Sequence, residues 1–124
     1  MTQESPPCPA ILVVEDEVLI RMEAVDMLED AGFRTYEAKS ADAAMVILQT
    51  RPDIGLLFTD VDMPGSMNGL SLAAHVREQW PSIKIVIASG VIDLSQEDLP
   101  KGACFFPKPY PSSDIVERLK AMCR

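Results

Sequence analysis

Short runs that are almost wholly apolar alternate along the chain with longer stretches in which apolar residues recur every three or four positions. AILVV at Ala10–Val14, IGLLFT at Ile54–Thr59 and IKIVIA at Ile83–Ala88 are of the first kind. A strand covered on both faces has no solvent side, so it reads as a run and not as an alternation. FRTYE at Phe33–Glu37 alternates and predicts a half-exposed strand; Ala103–Phe106 predicts the last one. Between these, Val18, Met22 and Val25 recur at helical spacing, and Gly32 after Ala31 is a C-terminal stop signal. Ser40 is placed to cap a helix through Thr50, with Ala44, Ile47 and Leu48 inward and Pro52 as its breaker. Asn68 is placed to cap a third helix, on which Leu72, Val76 and Trp80 repeat every four residues before Pro81. A short helix is expected near Ser95–Leu99. Ser112 or Ser113 caps a last one with Ile115, Val116, Leu119 and Met122 on one face.

Five strands alternating with about five helices predict an α/β fold, a doubly wound parallel sheet with helices on both faces. Residues 1–9 are polar with three prolines and read as a flexible lead-in; residues 10–124 read as one domain. At 124 residues such a domain buries about two-thirds of its unfolded surface, enough for one core without disulfides or metal staples. Sheets of this kind bind their ligands beyond the carboxyl ends of the strands, where the strand order reverses.

Composition narrows the partners. Lys and Arg number 11 against 19 Asp and Glu, a net charge of −8. That field repels phosphate backbones and anionic lipid, so direct binding of nucleic acid or a membrane surface is not expected. Cys8, Cys104 and Cys123 form no CxxC pattern, and His75 is the single histidine, which argues against a zinc site and for a reducing compartment. The opening MTQESPPCPA lacks the basic start and apolar stretch of a secretory leader, and no apolar run is long enough to cross a bilayer. A cytoplasmic location is the expectation.

The chemistry gathers at the predicted carboxyl ends. The first strand stops at Glu15-Asp16, the third at Asp60, the fourth at Ser89, and the fifth runs into Lys108-Pro109. Three acids, a hydroxyl and an ammonium thus converge on one rim. Two unit charges about 5 Å apart repel by roughly 3 kcal/mol at an effective dielectric near 20. A hard divalent cation relieves that repulsion, and Mg²⁺ takes oxygen ligands from carboxylates, water and phosphate. Asp60 then becomes a nucleophile for phosphoryl transfer, with Lys108 neutralising phosphoryl oxygens and the Ser89 hydroxyl donating to another.

VVEDE at Val13–Glu17, TDVDMPG at Thr59–Gly65, IASG at Ile87–Gly90 and KPY at Lys108–Tyr110, in that order and at strand ends, resemble the receiver domains of two-component response regulators. Asp60 lies 44 residues after Asp16, as the resemblance requires. The likeness covers residues 10–124 and implies a flavodoxin-like sheet in the order 2-1-3-4-5. It implies that Asp60 is the phospho-acceptor and that Asp16 and Asp60 bind Mg²⁺ directly. Glu15 would act through a water, and the Asp62 backbone carbonyl would complete the protein ligands. It further makes Ser89 the switch hydroxyl, Lys108 the phosphoryl partner, the bond to Pro109 cis, and Phe105 the switch aromatic. The partners implied are a sensor histidine kinase as donor and a downstream protein that the sequence does not identify. Output through protein contact or competition for phosphate is expected, since no DNA-binding segment follows in the sequence.

Three features depart from the commoner pattern. MPGSMNG is one residue longer before its helix-starting glycine; Ser89 and Lys108 are 19 residues apart, a few fewer than usual; and the aromatic is Phe105 in place of tyrosine. Taken singly, the motifs have plainer readings. Glu15-Asp16-Glu17 suits a helix start, Ser89-Gly90 a turn, Lys108 a solvated lysine, Phe105 and Cys104 a core, and His75 a helix surface. Two other functions compete with the signalling receiver: a receiver-like binding module indifferent to phosphate, and an aspartyl-phosphate phosphatase with a DxD at Asp60-Val61-Asp62. Pro64 and the acid pair on the first strand speak against the phosphatase.

Overall fold

The computed structural model describes residues 9–61, 68–89, 102–107 and 112–122. Its elements run β1 (Ala10–Val14), α1 (Val18–Asp30), β2 (Thr35–Ala38), α2 (Ala41–Thr50), β3 (Ile54–Asp60), α3 (Gly69–Gln79), β4 (Lys84–Ser89), β5 (Cys104–Pro107) and α4 (Ser112–Met122). Every paired strand is parallel, and the sheet order is β2-β1-β3-β4-β5, as expected. The lead-in, through residue 8, and the short helix near Ser95–Leu99 lie outside the described residues.

The apolar runs fill the middle of the sheet because they feed two cores at once. All five residues of β1 are buried. Ala10, Leu12 and Val14 face one side with α2 and α3, while Ile11 and Val13 face the other with α1 and α4. β3 and β4 divide in the same way, with Leu57, Ile85 and Ile87 on the first side and Leu56, Phe58 and Val86 on the second. Each Val, Leu, Ile or Phe among these contributes roughly 1.5 to 3 kcal/mol by leaving water.

The helix ends follow local chemistry. Ser40 Oγ accepts from the Ala43 amide at 3.1 Å, and Asn68 Oδ1 accepts from the Ser71 amide at 2.9 Å. These are the caps the sequence predicts. At the far end of α1, Phe33 N donates to Leu28 O at 3.0 Å and Gly32 N to Glu29 O at 3.0 Å. This double closure needs a left-handed residue, and Gly32 has φ +97°. The closure also moves a predicted boundary. Phe33 belongs to the end of α1, where it packs with Leu28, so β2 begins at Thr35 and extends to Ala38.

The apolar stripe expected on α1 is not its buried face. Val18 is 57% exposed and Met22 53%, while Ala24, Val25 and Leu28 pack inward. The first two turns of α1 are apolar nearly all round, so spacing alone could not choose the inward side. Cys104, expected to be buried, is half-buried at the edge strand β5. Lys84 Nζ donates to the Met122 carbonyl at 2.8 Å, a cation on the last turn of α4 that ties it to β4. No helix among the described residues is long and apolar enough to cross a membrane.

Candidate functional site

β1 and β3 are neighbours, with Val14 opposite Thr59, yet the chain leaves β1 toward β2 and α2 before it returns as β3. The strand order reverses between them, which opens a crevice at their carboxyl ends. Glu15 and Asp16 follow β1 into that crevice, and Asp60 is the last residue of β3. One carboxylate oxygen from each of the three lies within 4.8 Å of the others. Glu15 is 5% exposed and Asp60 8%; Asp16 is half-buried.

The backbone holds this geometry from several sides. Glu15 N donates to Ala38 O at 3.0 Å, and Glu17 N donates to Glu15 Oε2 at 3.1 Å. Past Asp60, Val61 N donates to Ala88 O at 3.2 Å, so β3 stays paired with β4 one step beyond the carboxylate. Gly69 N donates to Val61 O at 2.9 Å and brings the start of α3 up under the same corner. Thr59 Oγ1 donates to Asp60 O at 2.9 Å. A recess of about 10 Å³, the size of one water, lies between Glu15 and Asp60 over Val13, Ala24, Phe58 and Ala88.

Three carboxylates this close repel one another, by roughly 3 kcal/mol for a pair about 5 Å apart at an effective dielectric near 20. The donor atoms are all oxygen, carry negative charge, and are too few to saturate a six-coordinate ion. That set fits a hard cation such as Mg²⁺, which completes its shell with water and ligand oxygens.

The structure thus brings together Glu15, Asp16 and Asp60. Ser89 ends β4, one step past Ala88, which is opposite Asp60. Phe105 on β5 is half-buried against the core shared with α2 and α3, opposite Ile87. Asp62, Lys108 and Pro109 lie outside the described residues; Lys108 directly follows the end of β5 in sequence. His75 is exposed on α3 and is not part of the acid cluster. Two contributors escaped the sequence reading. Arg21 on α1 donates from Nη1 to the Glu15 carbonyl at 2.8 Å. Gly69 allows the main chain of α3 to approach that of Asp60. An arginine six residues after an acid and a glycine after a capping asparagine were the available signals, and neither names its target.

A five-stranded 2-1-3-4-5 sheet with an acidic triad at its switch point defines a class of protein, and comparison with known families agrees. Residues 11–120 match the family described as response regulator receiver domain. The chain belongs to that family, whose members are signalling domains. It is 32% identical over 115 residues to the response regulator receiver protein CpdR of Brucella abortus, covering 90% of this chain and 94% of that one. It is 33% identical over 116 residues to the sensor kinase CckA of the same organism, but that match spans only 12% of the kinase. The crystal structure of the NtrX receiver domain from Brucella abortus superposes with a TM-score of 0.82 at 32% identity, covering 91% of this chain and 97% of that one.

Proposed function

We propose that the chain accepts a phosphoryl group on Asp60 from a sensor histidine kinase and passes the change to a protein partner. The observation that carries this reading is the meeting of Glu15, Asp16 and Asp60 within 4.8 Å at the end of β1 and β3. Asp60 attacks the phosphorus through a carboxylate oxygen, and the bond from phosphorus to the donor nitrogen breaks with its electron pair leaving on the donor. Asp16 and Asp60 would hold a cation directly, Glu15 would hold it through water, and the Asp62 carbonyl would complete the set. Mg²⁺, when bound there, supplies the positive charge that lets a phosphate approach three carboxylates. Lys108 takes one phosphoryl oxygen and the Ser89 hydroxyl another.

In this reading Ser89 moves toward the phosphoryl group and Phe105 follows, which remodels the face carried by β4, β5 and α4. Phe105 is half-buried, so its ring can change packing without opening a core. The acidic composition and the cysteine spacing support a cytoplasmic setting. The acid pair beside β1 favours this receiver over a phosphatase, which leaves Glu15 and Asp16 without a task.

The test is intact mass after incubation with acetyl phosphate and Mg²⁺. A phosphoryl adduct is expected on the native chain, and none with Asp60→Asn or with chelator. An adduct that survives Asp60→Asn overturns the assignment. No adduct, followed by no beryllofluoride binding, moves the chain to a binding module indifferent to phosphate.

A further inference from the structure

The acidic corner carries a cation that the phosphoryl chemistry does not use. Arg21 sits in the first turn of α1, and its side chain is only 16% exposed. Nη1 donates to the Glu15 carbonyl oxygen at 2.8 Å, and Nε donates to Glu37 Oε1 at 3.1 Å. Glu37 lies on β2, opposite Val13 of β1. One planar guanidinium therefore ties α1, the turn after β1 and the edge strand β2, in the two-pronged way that arginine permits and lysine does not.

The bond to the Glu15 carbonyl matters for where Asp16 points. That oxygen belongs to the Glu15–Asp16 peptide, which is planar, so holding it fixes the entry of the chain into Asp16. Glu15 is also held at its amide by Ala38 and at its carboxylate by the Glu17 amide. Arg21 holds the side of the residue that leads to Asp16. We propose that Arg21, braced by Glu37, is a positioning residue for the divalent-cation site, setting the carboxylates of Glu15 and Asp16 in place before the ion arrives. The inference rests on the reading of Glu15, Asp16 and Asp60 as a metal site.

Charge works in the opposite direction, and the geometry says which effect wins. A bare guanidinium near the acids repels an incoming cation. Glu37 stands 3.1 Å away and cancels most of that field, so the pair acts on the site through the peptide it holds. Groups that orient metal ligands from outside typically change metal affinity 10- to 100-fold when removed. A plain strap between helix and sheet changes stability and leaves affinity alone. The same chain contains a matched strap: Arg34 Nη1 meets Asp53 Oδ2 at 3.0 Å at the other end of β2.

The test is calorimetric titration of MgCl₂ into the full chain. Arg21→Met with Glu37→Gln removes the brace without changing net charge, and Arg34→Met with Asp53→Asn does the same for the matched strap. The first pair is expected to weaken Mg²⁺ binding about tenfold, at the lower end of the effect of such orienting groups. The second is expected to leave it within about twofold, both being measured where the chains are fully folded. Arg21→Lys, which reaches one acceptor at a time, is expected to fall between native and the first pair and carries the test if that pair does not fold. Native affinity in both Arg21 variants overturns the proposal, as does an equal loss in the Arg34 pair. If Asp16→Asn and Asp60→Asn also bind Mg²⁺ like the native chain, the metal-site reading itself falls, a result distinct from failure of the Arg21 brace alone.

Discussion

Gly69, the first residue of α3, lies so close to Asp60 that a Cβ at position 69 would overlap the Asp60 carbonyl oxygen and stand 2.7 Å from its carbonyl carbon. Both atoms belong to a buried strand and cannot swing away as a side chain does. Gly69→Ala must therefore push α3 back from the end of β3. Overpacking of this kind costs about 1 to 3 kcal/mol, and here the displaced backbone carries the Asp60 carboxylate. The expected result is a lower denaturation midpoint together with weaker Mg²⁺ binding. Gly32→Ala is the control. Its φ of +97° makes alanine strained by roughly 1 to 2 kcal/mol, but nothing stands within 4 Å. It should lose stability and keep the native Mg²⁺ affinity; a Gly69→Ala chain that does the same shows that the contact is only structural.

The two helix caps offer a smaller and cleaner effect. Ser40→Ala and Asn68→Ala each remove the acceptor for one orphan amide, that of Ala43 or Ser71. Each is expected to cost about 1 kcal/mol in urea unfolding, and replacement by glycine only a few tenths. A cost near zero for both alanine and glycine would mean that the side-chain oxygen contributes little at that end.

Much of the architecture is legible in the sequence because burial on both faces leaves an uninterrupted apolar run. AILVV at β1 is buried at all five positions, and β3 runs apolar up to the acid that ends it. The acidic cluster is legible because Glu15-Asp16 and Asp60 each follow a buried apolar run, and adjacent parallel strands bring those ends together. Less is readable where local pattern does not choose an environment. Val18 and Met22 lie at helical spacing with Val25, yet only Val25 is buried, because α1 offers apolar residues to both sides. Phe33 looks like the start of a strand but completes the closure of α1. Arg21 acts through a backbone carbonyl, and no side-chain pattern announces such a partner.

The acid cluster predicts an inverse relation between native charge and stability in the absence of metal. Glu15, Asp16 and Asp60 offer oxygens within 4.8 Å of one another, two of the three from buried residues. Removing the Asp60 charge relieves its repulsion with both other acids, of order 1 to 3 kcal/mol for each pair. Asp60→Asn is therefore expected to raise the urea midpoint of the chelator-treated protein. Addition of Mg²⁺ should then stabilise the native chain and leave the variant almost unmoved, since only an ion that prefers the folded state shifts unfolding. A variant less stable than native without metal would show that contacts made by the Asp60 carboxylate outweigh its repulsion.

Asp53 supplies a pH dependence whose sign can be worked out. Burial pushes its carboxyl up, but the Tyr36 hydroxyl donates to both of its oxygens at 3.1 and 3.3 Å, and Arg34 pairs with it, so the balance lies below the usual 3.8. A carboxyl depressed in the native state contributes stability that is fully present above 3.8 and is lost as pH falls through the lower native value. Total stability sums the contributions of many groups, so it is a poor readout. The difference in unfolding free energy between native and Asp53→Asn isolates the effect. That gap is expected to be flat from about pH 7 to 5, to narrow below 3.8 and to vanish below the native value. Tyr36→Phe removes the strongest of the lowering contacts and should shrink the gap at neutral pH while shortening the window over which it closes. A gap that stays constant or widens below 3.8 would show that the Asp53 carboxylate gains nothing from Tyr36 and Arg34 in the folded chain.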